Sequence, residues 1–305
     1  MTDGLITHGP LIFDRRLLRG RRQRAAAMES ATFLLDRIAA DLGDRLAAVL
    51  RRFDFALDLC TPGDAIRHVL RDLGSVATIV AADTTPPGGG APAWPFVVTD
   101  EEALPFADAT FDLVVSALAL QFVNDLPGAL VQIRRALRPD GLFLAALIGG
   151  ETLTELRQSF AAAESEAEGG ISPRVAPFAD LRDLGALLQR AGFALPVTDI
   201  DRVIVRYDSV FELMHDLRRM GATNPLIDRR RMPLRCTTLM RMAEIYGKRF
   251  SDADGRVRAT FEIMWLSGWA PHSSQQQPLR PGSAKARLAD ALGTREISTG
   301  EKAGS

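Results

Sequence analysis

Cysteine is scarce in this chain: Cys60 and Cys236 are the only two among 305 residues. Such a pair builds no disulfide framework, which points to a reducing compartment. Histidine is sparse as well. His8, His68, His215 and His272 are scattered, none in the His-x-Asp/Glu spacing that suits a facial iron triad. No Cys-x-x-Cys pair occurs, so zinc is unsupported. An excess of either charge is also lacking: Lys+Arg 37 against Asp+Glu 38 leaves a formal net charge of −1. No global field would hold a polyanion, which argues against non-specific nucleic-acid binding. No apolar run approaches the ~20 residues needed to span a bilayer, and no secretory pattern is present. Lysine is rare: three lysines leave 37 − 3 = 34 arginines, which with so much alanine points to a GC-rich genome rather than a function. What is present, 47% hydrophobic and 25% charged residues, suits a soluble intracellular globular protein of one large domain or two small ones.

The only dense positive run lies between Arg15 and Arg24, around Leu17 and Leu18. A mitochondrial presequence would be Arg-rich and nearly free of acid, and Asp3 and Asp14 argue against one. Residues 1–29 therefore read as an Arg-rich helical arm. It is either a solvated helix face or an arm that covers a ligand site or contacts an acidic partner. From Ser30 the periodicity is helical, with Leu34, Ile38, Leu42 and Leu46 recurring every four residues. Short apolar runs at 55–59, 76–82, 95–98, 111–116 and 142–148 read as strands, and 65–73 as a helix. Between the last two strands lies a helix with Asn124 as its expected N-cap and Pro127 in its first turn, stopping at the turn signal Arg138-Pro139-Asp140-Gly141. Continuous apolar strands alternating with amphipathic helices imply a parallel sheet covered on both faces.

Further on, a helix over 180–191 ends at Gly192, and Ser209 with Glu212 forms a capping box for a helix through Met220. Segment 197–207 is β-rich. Val257, Ala259, Phe261, Ile263 and Trp265 alternate with Arg258, Thr260, Glu262 and Met264, the signature of a half-buried antiparallel strand. Residues 30–270 thus read as one domain with a helical insertion at about 208–250, followed by a partly disordered tail over 271–305. His215 reads as a surface or packing histidine, Trp265 and Trp269 as packing for the last strand, and Arg202 and Arg206 as solvent-facing.

Ligands of an open parallel sheet bind beyond the carboxyl ends of its strands, near the point where strand order reverses. The first strand ends in Leu57-Asp58-Leu59-Cys60-Thr61-Pro62-Gly63-Asp64, and the second in Ala82-Asp83. Asp83, 25 positions after Asp58, is placed to accept hydrogen bonds from two ribose hydroxyls. The third strand runs into Asp100-Glu101-Glu102-Ala103-Leu104-Pro105-Phe106, and the fourth ends at Ser116-Ala117-Leu118. In this order and spacing the strand ends resemble those of a class I S-adenosylmethionine-dependent methyltransferase. Leu104-Pro105-Phe106 followed by Phe111-Asp112-Leu113-Val114-Val115 is the most specific part. The resemblance implies an α/β fold, a doubly wound, Rossmann-like seven-stranded mixed sheet with the last strand antiparallel and a helical insertion before it. It also implies S-adenosylmethionine as cofactor, with Asp58, Cys60, Gly63, Asp83, Asp100, Glu101, Ser116 and Leu118 as its binding residues.

A closer resemblance is to the mitochondrial complex I (NADH dehydrogenase) assembly factor family with this fold, and to its bacterial branch. It runs from Phe13-Asp14-Arg15 to about Ala284. Its carriers include Val123-Asn-Asp-Leu-Pro127, Gly149-Gly-Glu-Thr-Leu-Thr-Glu-Leu-Arg157, Glu168-Gly-Gly-Ile-Ser-Pro173, Arg190-Ala-Gly-Phe193, Phe211-Glu-Leu-Met214 and Met220-Gly221, with Ala259-Thr260 before the last strand. The malonyl-carrier methyltransferase of biotin synthesis is a more distant cousin. In the mitochondrial family the resemblance implies hydroxylation of an arginine on a complex I subunit. It therefore implies a protein client, and a chain of this length fits a bacterial cytoplasmic member, or the matrix side in a eukaryote.

One departure stands out. The family's turn Leu-Asp-x-Gly-x-Gly-x-Gly becomes Cys60, Pro62 and Asp64 at the three glycines, with Gly63 alone remaining. Glycine there permits positive φ and close backbone approach, proline removes a donor, and Asp64 would repel a ligand carboxylate. Contacts to the cofactor's ribose and adenine are expected to survive, but those to its amino-acid part are not. Cys60 reads either as a reactive thiol or as a buried structural cysteine. The leading expectation is a methyltransferase-type enzyme acting on an unknown protein acceptor. The alternative is a complex I assembly protein that hydroxylates an arginine or only binds its client. Methyl transfer mainly needs the nucleophile held in line, which contributes ~7–11 kcal/mol without a strong base, so no catalytic residue is singled out.

Overall fold

In the computed structural model, which describes residues 11–86, 93–178, 180–276 and 293–294, the apolar runs of the sequence become the centre of one sheet. Strands β1 (Phe53–Leu59), β2 (Val76–Asp83), β3 (Phe96–Val98), β4 (Phe111–Ala117) and β5 (Leu137–Ile148) pair in parallel. Strand β7 (Val257–Trp269) is antiparallel to both β5 and β6 (Ala194–Tyr207), and the order across the sheet is β3-β2-β1-β4-β5-β7-β6. Sequential growth runs outward from β1 to β3 and then restarts at β4 on β1's other side. The reversal therefore falls between β1 and β4, which is where an open sheet splays its loops to leave a crevice.

Helices cover both faces because each carries one apolar stripe. Leu34, Ile38 and Leu42 of α2 (Phe33–Ala48), with Ile66 and Leu70 of α3 (Ala65–Asp72), pack on one face. Leu130 and Ile133 of α4 (Leu126–Ala136), with Leu184 and Leu188 of α6 (Leu181–Arg190), pack on the other. All these side chains are buried, and each contributes about 1.5–3 kcal/mol relative to exposure. The first face also carries α5 (Thr154–Glu168) and the two helices between β6 and β7, α7 (Val210–Arg219) and α8 (Cys236–Phe250). Helix α1 (Arg15–Ala26) precedes the sheet, with the Asp14 carboxylate accepting from the Leu17 N–H at its start. No helix among the described residues is long and apolar enough to cross a membrane.

Local expectations differ from the structure at several points. Asp125, not Asn124, caps α4, its carboxylate accepting from the Gly128 N–H at 2.9 Å; Asn124 is engaged elsewhere, as described below. The turn signal at Arg138-Pro139-Asp140-Gly141 does not separate α4 from β5. It lies inside β5 as a bulge, where Phe111 pairs with Leu137 but Leu113 with Leu142, and Asp140 takes φ +65°. Proline's missing donor and Asp140's left-handed backbone loop the extra residues out of the ladder. Arg202 and Arg206 are partly exposed but not merely solvated: Arg202 reaches Glu262 at 3.3 Å, and Arg206 reaches Asp252 at 2.8 Å and Asp254 at 2.5 Å. Trp265 and Trp269 do pack the last strand, with the Arg45 and Arg51 guanidiniums 4.4 and 5.2 Å from their ring centroids. The chain divides into two compact units, Met1–Pro271 and His272–Ser305. The tail expected over 271–305 lies mostly outside the described residues.

Candidate functional site

The end of β1 buries a charge. Asp58 is completely inaccessible, and one carboxylate oxygen takes a 2.5 Å hydrogen bond from an Arg67 terminal nitrogen. A second Arg67 nitrogen donates to the Gly63 carbonyl. The other carboxylate oxygen, Oδ1, is buried with no hydrogen-bond partner among the described residues. Burial pushes the Asp58 carboxyl up to about 6, with Arg67 and the Thr61 hydroxyl pulling the other way. An acid raised by folding binds more protons when folded, so its contribution to stability grows as pH falls. Between about 6 and its ordinary 3.8 the protein should therefore gain stability from Asp58 on acidification. Asp58→Asn should flatten that slope in denaturation curves taken across this range; an unchanged slope would assign it to another group.

The turn after β1 takes the left-handed conformation at one of its three missing glycines, Cys60, while Asp64 lies at φ −130°. Cys60 sits at φ +56° and Gly63 at φ +71°. A non-glycine residue in the left-handed region costs about 1–3 kcal/mol. Here it is held by the Cys60 N–H donating to the Ala82 carbonyl at 2.7 Å and by complete burial of the side chain. Burial foremost, then the Glu101 and Asp83 charges, raises the Cys60 thiol well above its ordinary value, so it stays protonated and unreactive at neutral pH. Asp64 points outward, largely exposed, 3.2 Å from His68 Nε2. Thr61 Oγ1 accepts from the Ala117 N–H at 3.0 Å, and Ser116 donates its hydroxyl to the Leu59 carbonyl at 2.8 Å, so these two tie the ends of β1 and β4 together. Leu118 follows at φ +53°, its N–H donating to the Ala146 carbonyl.

At the end of β2, Asp83 Oδ1 accepts from the Thr84 N–H at 2.5 Å and hydroxyl at 3.1 Å, and Oδ2 takes no hydrogen bond among the described residues. The acids after β3 are held by the arm. Arg15 donates to Asp100 at 2.7 Å and to Glu101, and lies 3.5 Å from Glu102; Arg22 lies 3.6 Å from Glu101. Glu101 is almost wholly buried. The same arm is anchored on the far side of β4. Asn124 Oδ1 accepts from the Ile12 and Phe13 N–H groups, both at 2.8 Å, and Phe13 packs edge-on to Phe122 with ring centroids 5.6 Å apart. Asp14 pairs with Arg229 at 3.1 Å. Phe13-Asp14-Arg15 is thus a three-point roof beside the ends of β3 and β4, tied to the 100–102 turn, Asn124 and Arg229, and the acids that Arg15 and Arg22 meet belong to this chain itself. Sequence reasoning quoted these residues but assigned Arg15 no partner, and it overlooked Arg67. The signals were three consecutive acids that need cations, and an arginine nine residues after a buried aspartate.

Comparison with known proteins follows this geometry. A family model described as a methyltransferase domain matches residues 57–145, a span that includes Asp58, Asp83, Asp100 and Ser116. The mitochondrial arginine-hydroxylase NDUFAF5 of Danio rerio is 39% identical over 292 residues, covering 92% of this chain and 90% of its own. This chain belongs to the NDUFAF5 family. The family of complex I assembly factors expected from Phe13-Asp14-Arg15 and the later motifs is therefore the right one, and the likeness covers most of the chain. The malonyl-[acyl-carrier protein] O-methyltransferase of Laribacter hongkongensis is 38% identical over 186 residues, 61% of this chain and 60% of its own. Among solved structures, protein BH2331 of Bacillus halodurans C-125 superposes with a TM-score of 0.52 at 18% identity, covering 76% of this chain and 98% of that one. That likeness concerns the fold alone, and it agrees with the class I methyltransferase sheet read from the sequence.

Proposed function

We propose that this protein is a complex I assembly protein that binds S-adenosylmethionine in the crevice between β1, β2 and the 100–102 turn and acts on a protein client. The observation that carries the proposal is the likeness, over 92% of this chain and 90% of the relative, to a protein named an arginine-hydroxylase. The crevice fits the cofactor. A buried, unpartnered Asp58 Oδ1 suits the cofactor's amine, and the unengaged Oδ2 of Asp83 suits a ribose diol. When bound, the cofactor would supply a methyl group activated on a sulfonium. The chain's own part is to orient and to exclude water: Asp83 would hold the ribose, Asp100 and Glu101 would bound the adenine side, and the roof would close over both. Charges act more strongly where water is excluded. In a bacterium the client would be met in the cytoplasm, and in a mitochondrion on the matrix side.

Two outcomes of the chemistry are separable by mass spectrometry of complex I subunits from a deletion strain. Loss of an oxygen from a subunit arginine supports the activity for which the relatives are named. Loss of a methyl group supports methyl transfer, the activity named for the Laribacter relative. Fully assembled complex I whose subunit masses match those of the parent strain would overturn the proposal. Binding is tested separately by calorimetry. The wild type should take up S-adenosylmethionine or its demethylated product, and Asp83→Ala should weaken binding by ~1–3 kcal/mol, the scale for hydrogen bonds to a charged group.

A further inference from the structure

A cavity of about 260 Å³ lies between α1, α5, α7 and the loop after α7, beyond the ends of β4 and β5. Its floor is apolar, with Phe122, Leu156, Phe160, Phe178, Met214 and Leu217. Its remaining lining includes five arginines and no acid. Three of them are neutralised by acids that do not line the cavity: Arg174 by buried Glu164, Arg229 by Asp14, and Arg230 by Glu168. The other two are not. Arg21 donates only to the backbone carbonyls of Thr223 (2.9 Å) and Asn224, and Arg218 makes no ion pair among the described residues. Burial, then the neighbouring Arg229 and Arg24, pull the Arg21 guanidinium below its ordinary value, as expected where positive charge is in excess.

An apolar floor under two uncompensated cations repels an amine or a guanidinium and leaves a neutral chain's end beside unsatisfied donors. We infer that this cavity binds a carboxylate carried at the end of a short apolar chain. The volume is below the ~300–1,000 Å³ typical of drug-sized ligands, so it has room for one short chain or one side chain. Arginine's planar fork matches a carboxylate in two hydrogen bonds. The inference goes beyond the function proposed above and needs no bound cofactor. It also means that if the client presents an arginine, that arginine is seated elsewhere while an acid enters here.

The test titrates the full chain, without cofactor, with hexanoate, hexylamine and hexanol, read by ligand-observed NMR. Hexanoate should bind at least about tenfold more tightly than the other two, and added salt should weaken it. Arg218→Gln should cost about tenfold in hexanoate affinity. Arg218→Lys should restore part of it, and thermal unfolding without ligand should be unchanged because Arg218 is exposed on α7. Equal binding of the three probes, or wild-type hexanoate affinity in Arg218→Gln, would overturn the inference. A peptide with one glutamate between leucines tells the two sources of such a group apart. Displacement of hexanoate points to a client side chain, and retained hexanoate binding without displacement points to a free acid; both support a carboxylate site.

Discussion

Arg67→Ala is expected to lose ~3–5 kcal/mol of folding stability at neutral pH, the scale for leaving one partner of a buried ion pair alone. Asp58 has no solvent to turn to, and Arg67 supplies its only ion pair among the described residues. The loss should shrink as pH falls towards about 6, because the carboxyl, no longer pulled down by Arg67, takes a proton at a higher pH than in the wild type and then needs no cation. The double change Arg67→Ala with Asp58→Asn should recover much of the stability, since removing both charges of a buried pair costs far less than removing one. Urea denaturation of the two variants at neutral and acidic pH measures all of this. A loss of equal size at both pH values would show that Arg67 stabilises through packing or its bond to the Gly63 carbonyl rather than through Asp58.

The second large effect belongs to Arg15. Its guanidinium serves Asp100, Glu101 and Glu102, and without it the buried Glu101 keeps only Arg22, 3.6 Å away. Arg15→Ala should therefore cost about 3 kcal/mol, the lower end of the range for a broken buried pair. It should also raise amide exchange over residues 11–27 much more than in the sheet. Arg15→Lys should recover only part, because a single ammonium cannot fork to several carboxylates. Because the roof borders the proposed nucleoside site, the same variant should bind S-adenosylmethionine more weakly. Unchanged exchange over 11–27 would mean that Phe13 and Asn124 hold the roof without help from the ion pairs.

How legible all this was depends on the range over which each signal acts. Buried parallel strands write themselves as continuous apolar runs, so β1, β2, β4 and the core of β5 were readable; β7 was readable as an antiparallel strand, but lying between β5 and β6 it is buried on both faces from Phe261 to Leu266 rather than half-buried. The α4 cap was misread by one residue because Asn124 and Asp125 are both good cap formers. The choice is made by Ile12 and Phe13, whose N–H groups claim Asn124 from 112 and 111 residues away. Arg15 to Arg24 reads as a solvated stripe because nothing local pairs with it; its acids lie 85 residues on. The first loop was the reverse case. Local rules took the loss of glycine as a loss of conformation, but the sheet forces Cys60 into the left-handed region regardless. The excess of arginine around the cavity was invisible in a chain with 34 of them, since only three-dimensional pairing separates those with acid partners from Arg21 and Arg218.

The roof also sets an order of events. Phe13, Asp14 and Arg15 precede the sheet in sequence, and their partners lie 111, 215 and 85 residues downstream. Closing such long loops is favourable only after the sheet has formed, because loop-closure entropy precedes the reward of distant contacts. The arm therefore docks after the sheet that follows it in sequence. Because it is held by a few ion pairs and one small apolar cluster, it is also the first to let go. Elements at this low end of local stability open without global unfolding. The arm can thus detach while all seven strands stay paired.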